Sequence, residues 1–104
     1  MQEVSMLASA ALSVGDPRSP SAIHINNALE RSAEEIDIHL GKRLRTRRRL
    51  LWMTQSEVAS AVGVGFRQIH KYECGVSTIS AARLWLLAEA LGVTVEYFFS
   101  GLGA

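Results

Sequence analysis

Three side chains that can donate hydrogen bonds, Arg67, His70 and Lys71, lie close together in the sequence. If the surrounding residues form a short helix, these three share one side of it, and Ile69 and Tyr72 lie on the other side. Apolar side chains three residues apart are typical of a face that packs against a core. The pattern therefore predicts a helix whose polar, cationic face is free to meet a partner.

A catalytic or metal-binding role has little support in the sequence. The histidines, His24, His39 and His70, are far apart, and no cysteine or carboxylate completes a metal-binding pattern with them. The chain also lacks a glycine-rich loop of the kind that cradles phosphates. We therefore predict no enzymatic activity, no metal site and no cofactor.

The single cysteine, Cys74, forms no internal disulfide and favours a cytoplasmic location, and no apolar run approaches the length of a membrane span.

The helix that carries Arg67 is the second half of a predicted hairpin at residues 54–73, TQSEVASAVGVGFRQIHKYE. Thr54 is a favourable N-cap, and Glu57 stands three residues later, as a capping box requires. Gly63 can end the first helix in a left-handed conformation, and Gly65 can begin the second helix. Helical hairpins that do not bind DNA share these features, so the hairpin alone favours DNA binding only weakly.

The charged residues are distributed unevenly along the chain. Residues 1–39 hold two Arg against six Asp and Glu, a net charge of −4. Residues 40–73 hold eight Lys and Arg against two Glu, a net charge of +6, and the remaining residues carry −1. Concentrated positive charge on a hairpin and on the helix before it is typical of a surface that binds a polyanion.

The hairpin also has small residues, Ala59 and Gly63, where two helices must cross closely. In this context the sequence resembles the Cro/C1-type helix-turn-helix transcriptional regulators, the XRE family. The resemblance covers roughly residues 39–100. It rests on an ordered set of residues: Arg48, Thr54-Gln55, Ala59, Gly63, Ile69, Tyr72-Glu73, Gly75 and the segment LAEALGV at 87–93. The resemblance implies an all-α fold, a compact five-helix lambda-repressor-like DNA-binding domain.

We divide the chain into two predicted parts. Residues 1–35 contain both prolines of the chain and no wide apolar helical face, and they form an N-terminal arm that is flexible or partly helical. Residues 36–101 form the DNA-binding domain. Asp37 is expected to cap the first helix of this domain, which ends near residue 51. Three leucines of this helix are expected to face the core: Leu40, Leu44 and Leu51.

The resemblance also implies the roles of individual side chains. The N-terminal part of the helix at 66–72 becomes the surface that enters the major groove, where Arg67 can donate two hydrogen bonds to guanine O6 and N7. The residues expected at base edges are Phe66, Arg67 and Lys71. The residues expected at the DNA backbone are Gln55, Gln68, His70, Arg45 and Thr78. Two positions for Phe66 stay open, against a thymine methyl group or folded onto the core.

Two further expectations concern the first helix. The resemblance implies an ion pair between Arg48 and Glu73, which would set the first helix against the third, because a charge between packed helices is costly without a partner. Family members commonly have glycine at the position of Trp52. Trp52 must therefore either adopt a left-handed conformation at some cost or change the course of the turn.

The C-terminal aromatic segment predicts an interface. Tyr97, Phe98 and Phe99 are consecutive, so they cannot all face the core, and the remainder would leave an exposed apolar patch. As in the resembled family, we expect Val95, Phe98 and Phe99 to support a homodimer. Its two recognition helices would read half-sites about 34 Å apart on a palindrome-like operator.

The sequence therefore predicts a transcriptional regulator that binds double-stranded DNA with sequence specificity. The alternative is a protein-interaction module with the same fold, such as an antitoxin or an adaptor. In that case the arm of residues 1–35 would bind a protein partner and fold as it docks.

Overall fold

The computed structural model describes residues 20–103, with side chains from Leu29 onward, so residues 1–19 of the predicted arm lie outside the described residues. The described residues form five helices: α1 (Pro20–Leu50), α2 (Gln55–Val62), α3 (Phe66–Cys74), α4 (Ala81–Leu91) and α5 (Val95–Phe99). No strand occurs in this part of the chain. The predicted all-α fold with a helical hairpin near residues 54–73 is confirmed.

Helix α1 begins earlier than the sequence pattern predicted. It runs from Pro20 to Leu50 over 31 residues, so Asp37 lies inside the helix and is not its N-cap. Proline is tolerated in a first helical turn because its missing N–H has no helical partner there. The next fifteen residues contain neither proline nor glycine, and nothing in them breaks a helix. The compact unit that contains the other helices begins within α1, at Ala33.

Trp52 follows α1 in a left-handed backbone conformation, with φ of 58°. Its N–H donates to the Arg49 carbonyl at 3.0 Å, and the Met53 N–H donates to the Arg48 carbonyl at 3.1 Å. These two bonds form the Schellman turn that glycine most often completes. The structure thus selects the left-handed alternative, at a cost of about 1–2 kcal/mol for a residue with a Cβ atom. Packing within the domain does not offset this cost, because the Trp52 side chain is 93% exposed.

The core forms where one face of each helix meets its neighbours. Helix α1 contributes Leu40 and Leu44, whereas Leu51, the third leucine expected inside, is 38% exposed because the chain turns after the helix ends. The other buried apolar side chains are Val58, Ala59, Val62, Ile69, Tyr72, Ile79, Leu84, Leu87, Ala88, Leu91 and Phe98. Those of α4 follow the i, i+3, i+4, i+7 spacing of a single helical face.

Glycines allow α1 to lie directly against the C-terminal end of α3. A Cβ atom added at Gly41 would come within 2.8 Å of the Glu73 carbonyl oxygen and would also collide with the Tyr72 carbonyl. Gly75, which ends α3 with φ of 74°, lies as closely against Ile38. Any side chain at Gly41 would therefore push the two helices apart. This contact fixes how α3 is presented on the surface.

Three arginines hold the C-terminal ends of three helices. Arg47 Nε donates to the Leu91 carbonyl at the end of α4, at 2.8 Å. Arg43 Nε donates to the Tyr97 carbonyl of α5 at 2.9 Å, and its guanidinium lies 3.8 Å from the centre of the Tyr97 ring. Arg83 donates to the Val62 carbonyl at the end of α2. Carbonyls in a last helical turn have few or no helical partners, and the negative end of each helix dipole favours a cation there.

Candidate nucleic-acid interface

Arg48 and Glu73 connect α1 with the end of α3. Arg48 Nε and Nη2 donate to the two carboxylate oxygens of Glu73 at 2.6 and 2.9 Å, and Arg48 Nη1 donates to the Met53 carbonyl at 2.9 Å. The hydrogen bonds to Glu73 raise the pKa of Arg48. The structure thus contains the pair that the resemblance implies. Its effect is to hold α3 at a fixed angle to the rest of the domain.

Helix α2 begins beside the middle of α3. The predicted capping box is present, because the Glu57 N–H donates to the Thr54 hydroxyl at 3.1 Å and the Thr54 N–H donates to the Glu57 carboxylate at 3.0 Å. The hydrogen bond from the Thr54 N–H to its carboxylate lowers the pKa of Glu57. The next residue after the cap, Gln55, donates from Nε2 to Glu73 Oε1 at 3.2 Å. Gln55 is therefore oriented by the same carboxylate that binds Arg48, and its amide nitrogen also lies 3.4 Å from His70 Nδ1.

Helix α3 buries one side and exposes the other. Ile69 and Tyr72 lie in the core, and Arg67 and Lys71 are exposed on the opposite side. Phe66, at the first position of the helix, is 52% exposed, so its ring is not buried in the core, and its contact with a thymine methyl group stays a prediction. The three side chains expected at base edges are thus all accessible on the first two turns of one helix.

The side chains expected at the DNA backbone lie in different environments. Arg45 is exposed on α1, and Gln68 is half-buried on α3. His70 is exposed, with Nδ1 3.4 Å from the Gln55 amide nitrogen and Nε2 3.5 Å from the Cys74 sulfur. The Thr78 hydroxyl donates to the Asp37 carboxylate at 2.9 Å, so its donor is used within the domain.

The basic residues at 42–49, in the C-terminal half of α1, separate into two groups. Arg43, Arg47 and Arg48 are partly buried and bind carbonyl or carboxylate groups of the domain. The exposed members are Lys42, Arg45 and Arg49. Sequence reasoning could not separate them, because every arginine in this run looks alike until the neighbouring helices are in place. The positive charge that remains accessible to a polyanion is therefore smaller than the sequence count indicates.

Helices α4 and α5 form another exposed surface, which follows the basic residues of α1 and α3 in the sequence. Phe98 is fully buried in the core, so it has no surface to offer a partner, and this corrects its place in the predicted dimer interface. Phe99 is 41% exposed and Val95 is half-buried. Sequence reasoning missed Trp85, which is 59% exposed and lines a cavity of about 390 Å³ together with Val95.

Two negative findings concern the described part of the chain. Among the side chains that the structure describes, from residue 29 to residue 103, no group of three or more His, Cys, Asp or Glu is arranged to hold a metal ion. None of the helices described there combines the length and apolar character that a membrane crossing needs.

A short two-helix hairpin, an exposed second helix and an ion pair that ties this helix to α1 together define a helix-turn-helix domain. A sequence profile described as Helix-turn-helix matches residues 44–98, more than half of the chain. The chain belongs to the Cro/C1-type helix-turn-helix family of transcriptional regulators, the family that its sequence resembles.

Curated relatives of this chain are also named as transcriptional regulators. A Rhodospirillum rubrum protein, described as an uncharacterized transcriptional regulator in the ATPase CF(0) region, is 47% identical over 72 residues, which are 69% of this chain and 67% of that protein. An uncharacterized HTH-type transcriptional regulator of Sinorhizobium medicae is 44% identical over 64 residues, or 62% of this chain and 46% of that protein. An uncharacterized HTH-type transcriptional regulator of Rickettsia conorii is 36% identical over 69 residues, which are 66% of this chain and 55% of that protein. The chain spans about half to two thirds of these relatives.

Proposed function

We propose that this protein is a cytoplasmic transcriptional regulator that binds double-stranded DNA with sequence specificity and inserts α3 into the major groove. The main support is the surface of α3, where Phe66, Arg67 and Lys71 are exposed in the first two turns and Ile69 and Tyr72 are anchored in the core. A rigid helix with accessible donors at its N-terminal end is the usual reader of base edges.

Different side chains supply specificity and affinity in this proposal. The planar guanidinium of Arg67 donates two parallel hydrogen bonds to one guanine, and Phe66 contacts a thymine methyl group. Lys71 contacts a base or the neighbouring phosphate. Gln55 donates to a phosphate beside the start of α2, and Arg45 adds a charge contact to the backbone. Phosphate contacts position the helix, and only the base contacts distinguish sequences.

We further propose that the protein acts as a homodimer. The α4–α5 surface has exposed apolar side chains from both helices, namely Trp85, Leu86 and Phe99, and half-buried Val95 lines one cavity with Trp85. A two-fold axis through this surface would present two copies of α3 to half-sites about 34 Å apart on one face of the duplex. A palindrome-like operator is the sequence that such a dimer reads.

The test is a selection of bound sequences from random duplex DNA, followed by affinity measurements across a salt series for the parent, Arg67→Ala and Arg67→Lys. We expect the parent to show a log–log salt slope of about −4 or steeper. Arg67→Lys keeps the charge but lacks the planar pair of donors, so it should lose preference at one guanine with little loss of total affinity. If the parent does not bind duplex DNA even at low salt, the proposal is wrong, and the protein-interaction alternative takes its place.

A further inference from the structure

Trp52 occupies an unusual position for so large an apolar side chain. Its backbone is left-handed, with φ of 58°, and its ring is 93% exposed. Glycine would close the same turn without strain. Neither local conformation nor burial within the domain favours tryptophan at this position, and its exposed ring is accessible to a partner. Strained residues of this kind cluster at binding sites.

The ring of Trp52 lines a surface cavity of about 800 Å³ between the end of α1 and the starts of α2 and α3. Phe66, 52% exposed, lines the same cavity from the first position of α3. The other lining residues are Arg48, Arg49, Met53, Thr54, Gln55 and Ser56. The cavity thus begins at the surface that we propose for base reading and extends to the end of α1.

The charge of this cavity favours an anionic occupant. Its lining residues include two arginines and no carboxylate. Arg48 is neutralised by Glu73, whereas Arg49 is exposed. The Ser56 hydroxyl and the amide of Gln55 add neutral hydrogen-bonding groups. A surface with a cation, small donors and exposed aromatic rings suits a nucleic-acid strand, in which anionic phosphates alternate with the apolar C–H faces of deoxyribose.

We infer that this cavity seats one strand of the duplex that α3 reads, with the Trp52 ring packed against a deoxyribose and Arg49 paired with the adjacent phosphate. The inference rests on the proposed DNA-binding function and extends it from α3 to the turn after α1. Contacts of this kind carry no base code, so Trp52 strengthens binding to all sequences and holds α3 in register. The fold thus accepts strain at Trp52 in exchange for a contact with DNA.

Two substitutions distinguish the contribution of the Trp52 ring to DNA binding from the backbone strain at this position. Trp52→Gly removes both, and Trp52→Ala removes the ring but keeps a Cβ atom in the left-handed turn. We expect both variants to lower the affinity for duplex DNA about five-fold, as loss of one apolar contact predicts. Sequence preference should not change. Only Trp52→Gly should raise the melting temperature above that of the parent.

A fluorescence measurement tests the contact directly. The chain has two tryptophans, so Trp85→Phe leaves Trp52 as the only indole emitter. We expect its emission to be quenched and shifted to shorter wavelength when duplex DNA is added, and not when the concentration of protein alone is raised. Arg49→Ala in the same background should weaken binding and reduce the salt slope by about one.

The outcomes distinguish this inference from the function on which it rests. If the parent binds DNA but Trp52→Gly and Trp52→Ala bind equally well, the inference is overturned and the proposed function stands. Emission that changes with protein concentration alone would assign the cavity to a second copy of the chain, which also overturns it. If the parent does not bind DNA, the inference and the proposed function are both wrong.

Discussion

Arg48 and Glu73, 25 residues apart in sequence, form two parallel hydrogen bonds of 2.6 and 2.9 Å between α1 and the end of α3. Their side chains are only 12% and 3% exposed. A paired charge at such a site is tolerated, but a charge left without its partner must remain in a poorly solvated place. The orientation of α3, the helix that we propose reads DNA, therefore depends on a contact far from the residues proposed to touch base edges.

Loss of either side chain of the Arg48–Glu73 ion pair should strongly destabilise the domain. We expect Arg48→Ala to lower the free energy of unfolding by about 3–5 kcal/mol, because the Glu73 carboxylate stays buried without a counter-ion. Urea unfolding followed by circular dichroism at 222 nm measures this change. Arg49→Ala removes the same chemical group from the exposed neighbouring position and should change stability by less than about 0.5 kcal/mol. Equal effects of the two substitutions would contradict the structural role of the pair.

Replacement of Gly41 should separate α1 from α3. Alanine is normally better in a helix by about 1 kcal/mol, but here its Cβ would collide with the carbonyls of Tyr72 and Glu73. We expect Gly41→Ala to destabilise the domain by about 2 kcal/mol, as in other overpacked sites. Thermal unfolding checks this, with Thr46→Ala on the exposed side of the same helix as the control. A gain in melting temperature for Gly41→Ala would show that the helices can part without cost.

The capping box should make stability depend on pH in the acidic range. The pKa of Glu57 is lowered because its carboxylate accepts from the Thr54 N–H. A lowered pKa in the folded state means that the contribution is present above the unfolded value of 4.5 and is lost as the pH falls through the folded value. We therefore expect the difference in stability between the parent and Glu57→Ala to shrink as the pH is lowered below 4.5. Glu57→Gln keeps an acceptor without a titrating group, so the difference in stability between Glu57→Gln and Glu57→Ala should stay constant over the same pH range.

Substitution of Phe98 should affect folding stability, whereas substitution of Phe99 should affect dimerisation. Phe98→Ala creates a cavity in the core and should cost about 3–5 kcal/mol in unfolding free energy. Phe99→Asp places a charge on the exposed α4–α5 surface and should leave folding nearly unchanged while it weakens the proposed dimer at least about ten-fold, a change of 1.4 kcal/mol. Sedimentation equilibrium measures the dimer, with Ser60→Asp on α2 as the control. A parent that sediments as a monomer at all concentrations would rule out this interface.

Features that depend on a few neighbouring residues could be predicted from the sequence. The capping box of Thr54 and Glu57 and the turn at Gly63 are formed as expected, since each involves groups within one helical turn. The apolar spacing of Ile69 and Tyr72 likewise identified the buried side of α3. The start of α1 was predicted wrongly at Asp37, because a good N-cap residue does not end a helix that can continue through it.

Features that join distant parts of the chain were decided by the tertiary structure. The sequence determined that this is a helix-turn-helix domain and which side chains α3 exposes, since helical periodicity fixes both. It could not show that Arg43 and Arg47 hold the ends of α5 and α4, or that Phe98 is buried and Phe99 is exposed. Consecutive or chemically identical side chains differ only in which neighbour they meet, and that neighbour is set by how the helices pack. The same packing leaves the Trp52 ring in solvent, beside the start of the helix that we propose reads DNA.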